Sequence, residues 1–196
     1  MRLIVFGVLA AGLLLLGTGC IFSPDKGDKP SDGGGTPEYD PPTSPLNVLS
    51  NLSKAYAARD TVEYKELYDP AYVGSSTDLN DPPGTQVSTF RYADEVAHVA
   101  ALRRAPSVNS VVFDAGPSTT WNRLSSDDPS HPDYAEIQIG SGNLHIEVND
   151  IELGKTFTVS STNPITFYFK PTVRAPADTT WKIIRWVEVG QTTPGA

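Results

Sequence analysis

The spacing of apolar residues predicts three helices in the first part of the folded chain. Apolar side chains recur every three or four positions over residues 44–59, which is the period of an α-helix with one buried side. A short second helix is predicted over residues 60–68, where Asp60 opens a capping sequence. A third helix is predicted over Tyr92–Arg104 and is ended by Pro106. The residues expected along its buried side are Val96, Val99, Ala100 and Arg103.

From residue 108 onward the period of the apolar residues changes to two, which is typical of β-strands with one covered and one wetter face. Trp181 and Trp186 stand an odd number of positions apart, so we expect them on opposite faces of the last strand. A brief strand is also predicted over residues 71–73, and a polar loop over residues 74–89. The strands predicted in the second half are 108–113, 134–139, 144–148, 156–160, 165–170 and 181–189.

This order of elements predicts the fold class. Helices followed by successive antiparallel strands are typical of an α+β fold. We therefore expect three N-terminal helices packed on a curved, mainly antiparallel sheet. Residues 44–190 are enough for one such domain with its own core, and residues 191–196 are expected to form a disordered tail.

The first twenty residues have a different character from the rest. An apolar run over residues 3–16 follows Arg2 and is too short for a bilayer span, which needs about 20 residues. Small residues then lead to Cys20, the only cysteine in the chain. This stretch resembles a bacterial lipoprotein signal, which implies cleavage after residue 19 and lipidation of Cys20. An ordinary secretion signal and an uncleaved anchor are the alternatives. The second residue after Cys20 is Phe22 and not Asp. In a diderm cell the resemblance therefore implies that the protein is anchored in the outer membrane and faces the periplasm.

Composition and charge narrow the classes of partner. Residues 20–43 are rich in Pro and Gly and predict a flexible tether behind the lipidated cysteine, with a reach of about 25 Å. The 196-residue chain carries 15 Lys and Arg against 23 Asp and Glu, a formal net charge of −8. That charge argues against binding to nucleic acid and against electrostatic adhesion to anionic lipid. Attachment to the membrane would then depend on the lipid on Cys20.

Three stretches carry a resemblance to a known superfamily. They read SPLNVLSNLSKAYAARDTVEYKELYDPAY, YADEVAHVAALRRA and TTWKIIRWVEV, and together they frame residues 44–189. These stretches are similar to the NTF2-like, or SnoaL-like, cystatin-type superfamily. The resemblance implies a cone in which a curved sheet wraps around the helices and encloses an apolar hollow. It also implies that an enzyme on this fold would use a carboxylate or a His–Asp pair inside the hollow, and that a sheet face can serve for homodimerisation.

Two pairs of titratable residues are candidates for chemistry. Asp94 and His98 lie four apart on the third helix, but on the side opposite Val96, so we expect an exposed surface pair. His145 and Glu147 share one face of a strand, and because zinc needs three or four ligands they predict a wet sheet face rather than a metal site. Neither a metal nor a cofactor is predicted, and motifs of a nucleophilic serine or a phosphate-binding loop are absent from the sequence.

The candidates for ligand binding are mostly aromatic. Tyrosine hydroxyls on an apolar wall can orient a bound molecule, although packing in the core is the competing interpretation. His131 belongs to a long polar insertion over residues 118–133, which is either a cap on the hollow or a surface loop. The residues assigned to ligand binding are Tyr56, Tyr68, Tyr72, Tyr92, Trp121, His131 and Trp186.

These observations favour a lipid-anchored protein of the bacterial envelope that binds a small apolar ligand or a protein partner without catalysis. The absence of a recognisable acid–base pair is what ranks this hypothesis first. The alternatives are an enzyme of the isomerase, dehydratase or hydrolase kind, and a structural subunit that assembles or dimerises through its sheet.

Overall fold

The computed structural model describes residues 37–77, 87–116, 120–124, 133–161, 163–175 and 178–188. The predicted signal peptide, Cys20, most of the tether, His131 and the C-terminal tail lie outside these residues. None of the helices within the described ranges is both long enough and apolar enough to cross a membrane.

Three helices lie within the described residues, as the sequence predicts. They are α1 (Pro45–Ala58), α2 (Thr61–Glu66) and α3 (Tyr92–Arg104). The hydroxyl of Ser44 accepts a hydrogen bond from the amide of Asn47 and caps α1, while Asp60 caps α2 in the same way. Arg59 ends α1 in the left-handed region at φ 53°, which turns the chain sharply into α2.

The strands form two sheets. The larger sheet has the order β2-β1-β9-β8-β5-β4 and the smaller one the order β3-β6-β7. All neighbours are antiparallel except β1 and β9, so the predicted α+β class with a curved, mainly antiparallel sheet is confirmed. The strands are β1 (Tyr68–Thr77), β2 (Val87–Arg91), β3 (Val108–Asp114), β4 (Asn122–Arg123), β5 (Ala135–Ile139), β6 (His145–Asp150), β7 (Lys155–Ser160), β8 (Ile165–Ala175) and β9 (Asp178–Glu188).

The expectation of a three-residue strand at 71–73 followed by a loop to residue 89 is wrong. Strand β1 runs for ten residues, and β2 already begins at Val87. Residues 74–77 read Gly-Ser-Ser-Thr, which has little intrinsic preference for a strand. They are extended because β1 is hydrogen-bonded to β2 on one side and to β9 on the other.

The expectation that Trp181 and Trp186 point to opposite faces is also wrong. In the register with β8, Tyr168 pairs with Arg185 but Phe169 pairs with Ile183, so Ile184 is one extra residue in β9. Such a β-bulge reverses the alternation of faces beyond it. Both tryptophans therefore lie on the core face, where Trp181 is buried and Trp186 stacks on Phe167 at 5.5 Å between ring centroids.

Residues 37–43, the last part of the predicted tether, contact the domain. The side chain of Asn51 is fully buried; its amide oxygen accepts from the backbone N–H of Asp40 at 3.0 Å, and its Nδ2 donates to the carbonyl of Asp40 at 2.7 Å. The backbone N–H of Trp181 donates to the carbonyl of Pro42 at 2.9 Å. These bonds attach the segment to both α1 and β9.

Gly74 makes room for the ring of Tyr72. A methyl group on Gly74 would overlap the Tyr72 hydroxyl, which lies directly over the glycine. We therefore predict that Gly74→Ala lowers the free energy of unfolding by about 1–3 kcal/mol, as overpacking in a core usually does. Chemical denaturation measures this loss.

A double-mutant cycle with Tyr72→Phe tests the cause, because removing the hydroxyl should remove part of the cost of Gly74→Ala. Ser75→Ala, one position along the same strand, is the control and should change stability by less than about 0.5 kcal/mol. An identical cost of Gly74→Ala with and without the hydroxyl would show that the overlap is not its origin.

Candidate functional site

Four buried tyrosines from three elements meet in the interior. Tyr56 comes from α1, Tyr64 from α2, and Tyr68 and Tyr72 from β1, and each is at most 4% exposed. Successive ring centroids lie 5.9, 5.1 and 4.8 Å apart, so the rings form one continuous group, called here the tyrosine cluster. Three of the residues assigned to ligand binding therefore come together, and Tyr64 joins them. Their role in binding stays a prediction.

The carboxyl group of Glu95 on α3 is the centre of the polar contacts in this cluster. The Tyr64 hydroxyl donates to Oε2 at 2.8 Å, and the Tyr72 hydroxyl donates to Oε1 at 3.2 Å. Burial raises the pKa of Glu95 above its ordinary value, the neighbouring Asp94 raises it further, and the two hydroxyl donors lower it only in part. A carboxyl with a raised pKa can hold or take up a proton closer to neutral pH, and it can accept hydrogen bonds from a bound molecule.

His98, one turn further along α3, also faces the tyrosine cluster. Its Nε2 lies 2.7 Å from the Tyr56 hydroxyl, and the two rings are stacked 5.7 Å apart. Burial lowers the pKa of His98, so the imidazole is neutral at pH 7. The expectation of an exposed Asp94–His98 pair is therefore wrong: Asp94 alone is exposed, and its carboxylate accepts from the backbone N–H of Arg91 at the start of the helix.

The reason is a rotation of the buried side of α3 relative to the prediction. Val99 is buried and Leu102 packs against the core, but Arg103 is exposed. Glu95 stands at a core position of this pattern, three residues after Tyr92 and four before Val99. An acidic residue at an apolar position was the signal that could have revealed Glu95 from the sequence.

The other predicted ligand residues lie in different places. Trp186 borders the cluster, because it pairs with Gly74, over which Tyr72 lies. The indole N–H of Trp186 is buried and has no hydrogen-bond partner among the described residues. Tyr92 is half-buried against the core. Trp121 packs instead on Trp181, at 5.5 Å between ring centroids, five residues away from Trp186 along β9.

The remaining sites are more open. The Nε2 of His145 lies 3.5 Å from the carboxylate of Glu147, and their side chains are 40% and 35% exposed. No group of three or more metal-ligating side chains occurs among the described residues. A groove of about 310 Å³ lies between Asp40, α1 and the end of β3. None of the predicted ligand residues lines it. Its walls are Asp40, Leu46, Asn47, Leu49, Ser50, Ser53, Ala115 and Gly116.

The solved structures that resemble this chain share little of its sequence. Neither a protein-family model nor a curated protein matches the chain. Among solved structures, an NTF2-like superfamily protein from Salmonella enterica serovar Typhimurium is 10% identical with a TM-score of 0.46, over 76% of this chain and 90% of that one. A ketosteroid isomerase-like protein from Erwinia carotovora is 12% identical with a TM-score of 0.43, over 72% and 88%.

A third structure of this kind is a putative calcium/calmodulin-dependent protein kinase II association domain from Xanthomonas campestris. It is 17% identical with a TM-score of 0.43, over 80% of this chain and 98% of that one. At these values neither an activity nor the role of any residue carries over. The order of helices and strands described above is what establishes the α+β fold with a curved, mainly antiparallel sheet.

The buried position of Glu95 predicts a pH dependence of stability. Because its pKa is raised on folding, the folded protein binds more protons than the unfolded chain between the ordinary value of 4.5 and the raised value. The contribution of Glu95 to stability is therefore full below pH 4.5 and is lost as the pH rises through the raised pKa. Glu95→Gln removes this loss, so its stability relative to the wild type should increase with pH, by at most about 1.4 kcal/mol per pH unit.

Urea denaturation at a series of pH values measures this difference. The contributions of other groups, such as Asp69, are common to both proteins and cancel. Glu152→Gln alters an exposed carboxyl and should run parallel to the wild type. A parallel profile for Glu95→Gln as well would contradict the burial of its carboxyl.

Proposed function

We propose that this chain is a lipid-anchored protein of a bacterial cell envelope whose domain binds a small, mainly apolar molecule next to the tyrosine cluster. The observation that carries the proposal is Glu95. Its carboxyl lies deep and receives two tyrosine hydroxyls, although the residue as a whole is only half-buried. A few placed polar groups on an apolar and aromatic wall are the usual composition of a small-molecule site.

Trp186 supports the same location. The Tyr72 hydroxyl is bound to Glu95 and lies over Gly74, and Trp186 is the neighbour of Gly74 on the adjoining strand. Adjacent strands are about 4.8 Å apart, so the backbone of Trp186 lies close to Gly74 and to the Tyr72 hydroxyl above it. Burying an N–H group without a partner costs about 1–3 kcal/mol, which a hydrogen-bond acceptor on a ligand would offset.

A proton-transfer enzyme is the second candidate, and the raised pKa of Glu95 is the observation that favours it. A carboxylate tuned in this way can act as a general base, and the hydroxyls of Tyr64 and Tyr72 can donate to an anion that forms beside it. Isomerisation and dehydration are reactions of this kind. Conversion of the bound compound by the wild type but not by Glu95→Gln would favour this candidate over binding alone.

The anchor is tested at Cys20. Replacement by serine removes the thiol that would carry the lipid, so Cys20→Ser should move the protein from the membrane pellet to the soluble fraction of its native host. Mass spectrometry of the wild type should show the mass of the acyl chains on the new N-terminal cysteine. An unmodified Cys20 in protein that stays in the membrane would contradict the proposal.

Native mass spectrometry of the protein extracted from its own membrane tests ligand binding. The wild type and Glu152→Gln should carry the same non-covalent small molecule, and Glu95→Gln should retain about a tenth of it or less, as expected for the loss of a charged hydrogen-bond acceptor. The same spectra give the number of copies, which tests a homodimer through the sheet. A wild-type domain that is empty after gentle extraction would contradict ligand binding.

A further inference from the structure

Glu95 has no positively charged partner among the described residues. The ion pairs found there use other carboxylates, namely those of Asp40, Glu66, Asp69 and Glu147. The groups that act on Glu95 come from α1, α2, β1 and its own helix, and all of them are neutral or negative. They are Tyr56, Tyr64, Tyr68, Tyr72 and Asp94.

The hydroxyls of the cluster are placed to donate hydrogen bonds to Glu95 when its carboxyl is ionised. Tyr64 has one hydroxyl proton and donates it to Glu95, so the 3.1 Å bond between Tyr64 and Tyr68 is donated by Tyr68. Tyr72 donates its proton to the other carboxyl oxygen. An ionised Glu95 is therefore surrounded by hydrogen bonds, and the described part of the chain supplies no counter-charge for it.

Part of the Glu95 side chain reaches solvent, although its carboxyl lies deep. Glu95 and Tyr92 are both half-buried, and a spacing of three residues places them on the same side of α3. A group that approaches Glu95 along this side of α3 would therefore meet the ring of Tyr92. A cation in that position gains both the ionic hydrogen bond and an attraction to the ring face.

We propose that Glu95 and Tyr92 receive the ammonium group of a small organic amine, whose apolar part packs towards the aromatic residues of the core. This inference rests on the proposed function and names its ligand class. A metal ion does not suit the site, because Ca²⁺ and Mg²⁺ need several oxygen ligands and the described residues offer no cluster of ligating side chains. A monovalent organic cation needs only one carboxylate.

Two probes of nearly equal shape test the charge directly. Benzylammonium carries a positive charge near neutral pH, and benzyl alcohol presents the same ring with a neutral hydroxyl. Titration calorimetry of the wild-type protein should give an affinity for benzylammonium about tenfold or more above that for benzyl alcohol. Tetramethylammonium, which has a charge but no ring, should compete with benzylammonium.

Variants assign the preference to the two residues. Glu95→Gln should lose the preference for the charged probe, Tyr92→Leu should reduce it about three- to tenfold, as expected for a cation–π contact, and Glu152→Gln should keep it. Circular dichroism verifies that each variant is folded, and the comparison of the two probes on the wild type stands even if a variant is not.

Equal affinities for the two probes, or a preference that survives in Glu95→Gln, would overturn the amine proposal, and so would the failure of both probes to bind. Ligand binding as such is judged separately, by the molecule that accompanies the protein from its membrane. A neutral or anionic molecule that is lost in Glu95→Gln would overturn the amine proposal and leave the proposed function standing.

Discussion

The burial of one carboxyl group constrains much of this domain. A charge that leaves water is costly unless other groups hydrogen-bond to it. Here the hydroxyls of Tyr64 and Tyr72 hydrogen-bond directly to the carboxyl of Glu95. The hydroxyl of Tyr68 hydrogen-bonds in turn to that of Tyr64. These tyrosines come from α2 and β1, while Glu95 comes from α3. The requirement to satisfy a single side chain thus links a helix pair and a strand that are distant in the sequence.

Two irregularities of the backbone allow this arrangement. Gly74 leaves space for the Tyr72 hydroxyl, so the ring can lie across its own strand and reach Glu95. The bulge at Ile184 turns Trp186 to the core face beside Gly74, where an undisturbed strand would have sent it outward. The first feature depends on the missing side chain of Gly74, and the second depends on the pairing of β9 with β8.

The extent to which the fold could be predicted from the sequence depends on whether each feature is determined by nearby or by distant residues. Helices α1 and α2 were predictable because their ends are determined by nearby residues. Ser44 caps α1, Asp60 caps α2, and the chain turns at Arg59 between the two helices. The second half of β1 was not, because Gly-Ser-Ser-Thr is extended only by pairing with distant strands. Strict alternation along β9 predicts opposite faces for Trp181 and Trp186. The extra residue at Ile184 reverses that alternation and brings both side chains to the same face.

The chemistry was harder to predict than the fold for a related reason. The apolar residues of α3 predict a buried side along Val96, Val99 and Ala100. By that criterion His98 falls on the surface and Glu95 is not expected in the core. A polar residue becomes a core residue only when partners from other elements satisfy it, as Tyr56 does for His98. A single sequence shows the polar residue but does not show which distant residue will satisfy it. The aromatic residues around the helices could be predicted to be buried because most of each side chain is apolar.

The net charge of the chain acts in the same direction as the site. With a formal charge of −8, the protein attracts cations and repels anions over a distance of about a Debye length, 8–10 Å in physiological salt. An anionic ligand would meet this repulsion and then the carboxyl of Glu95, for which the described residues provide no cationic partner. A cationic ligand would be concentrated near the surface and lose less free energy on leaving water, because a carboxylate replaces part of its hydration. Long-range charge and local geometry therefore select the same sign of ligand, and a rise in salt should weaken the first contribution while leaving the buried contact largely intact.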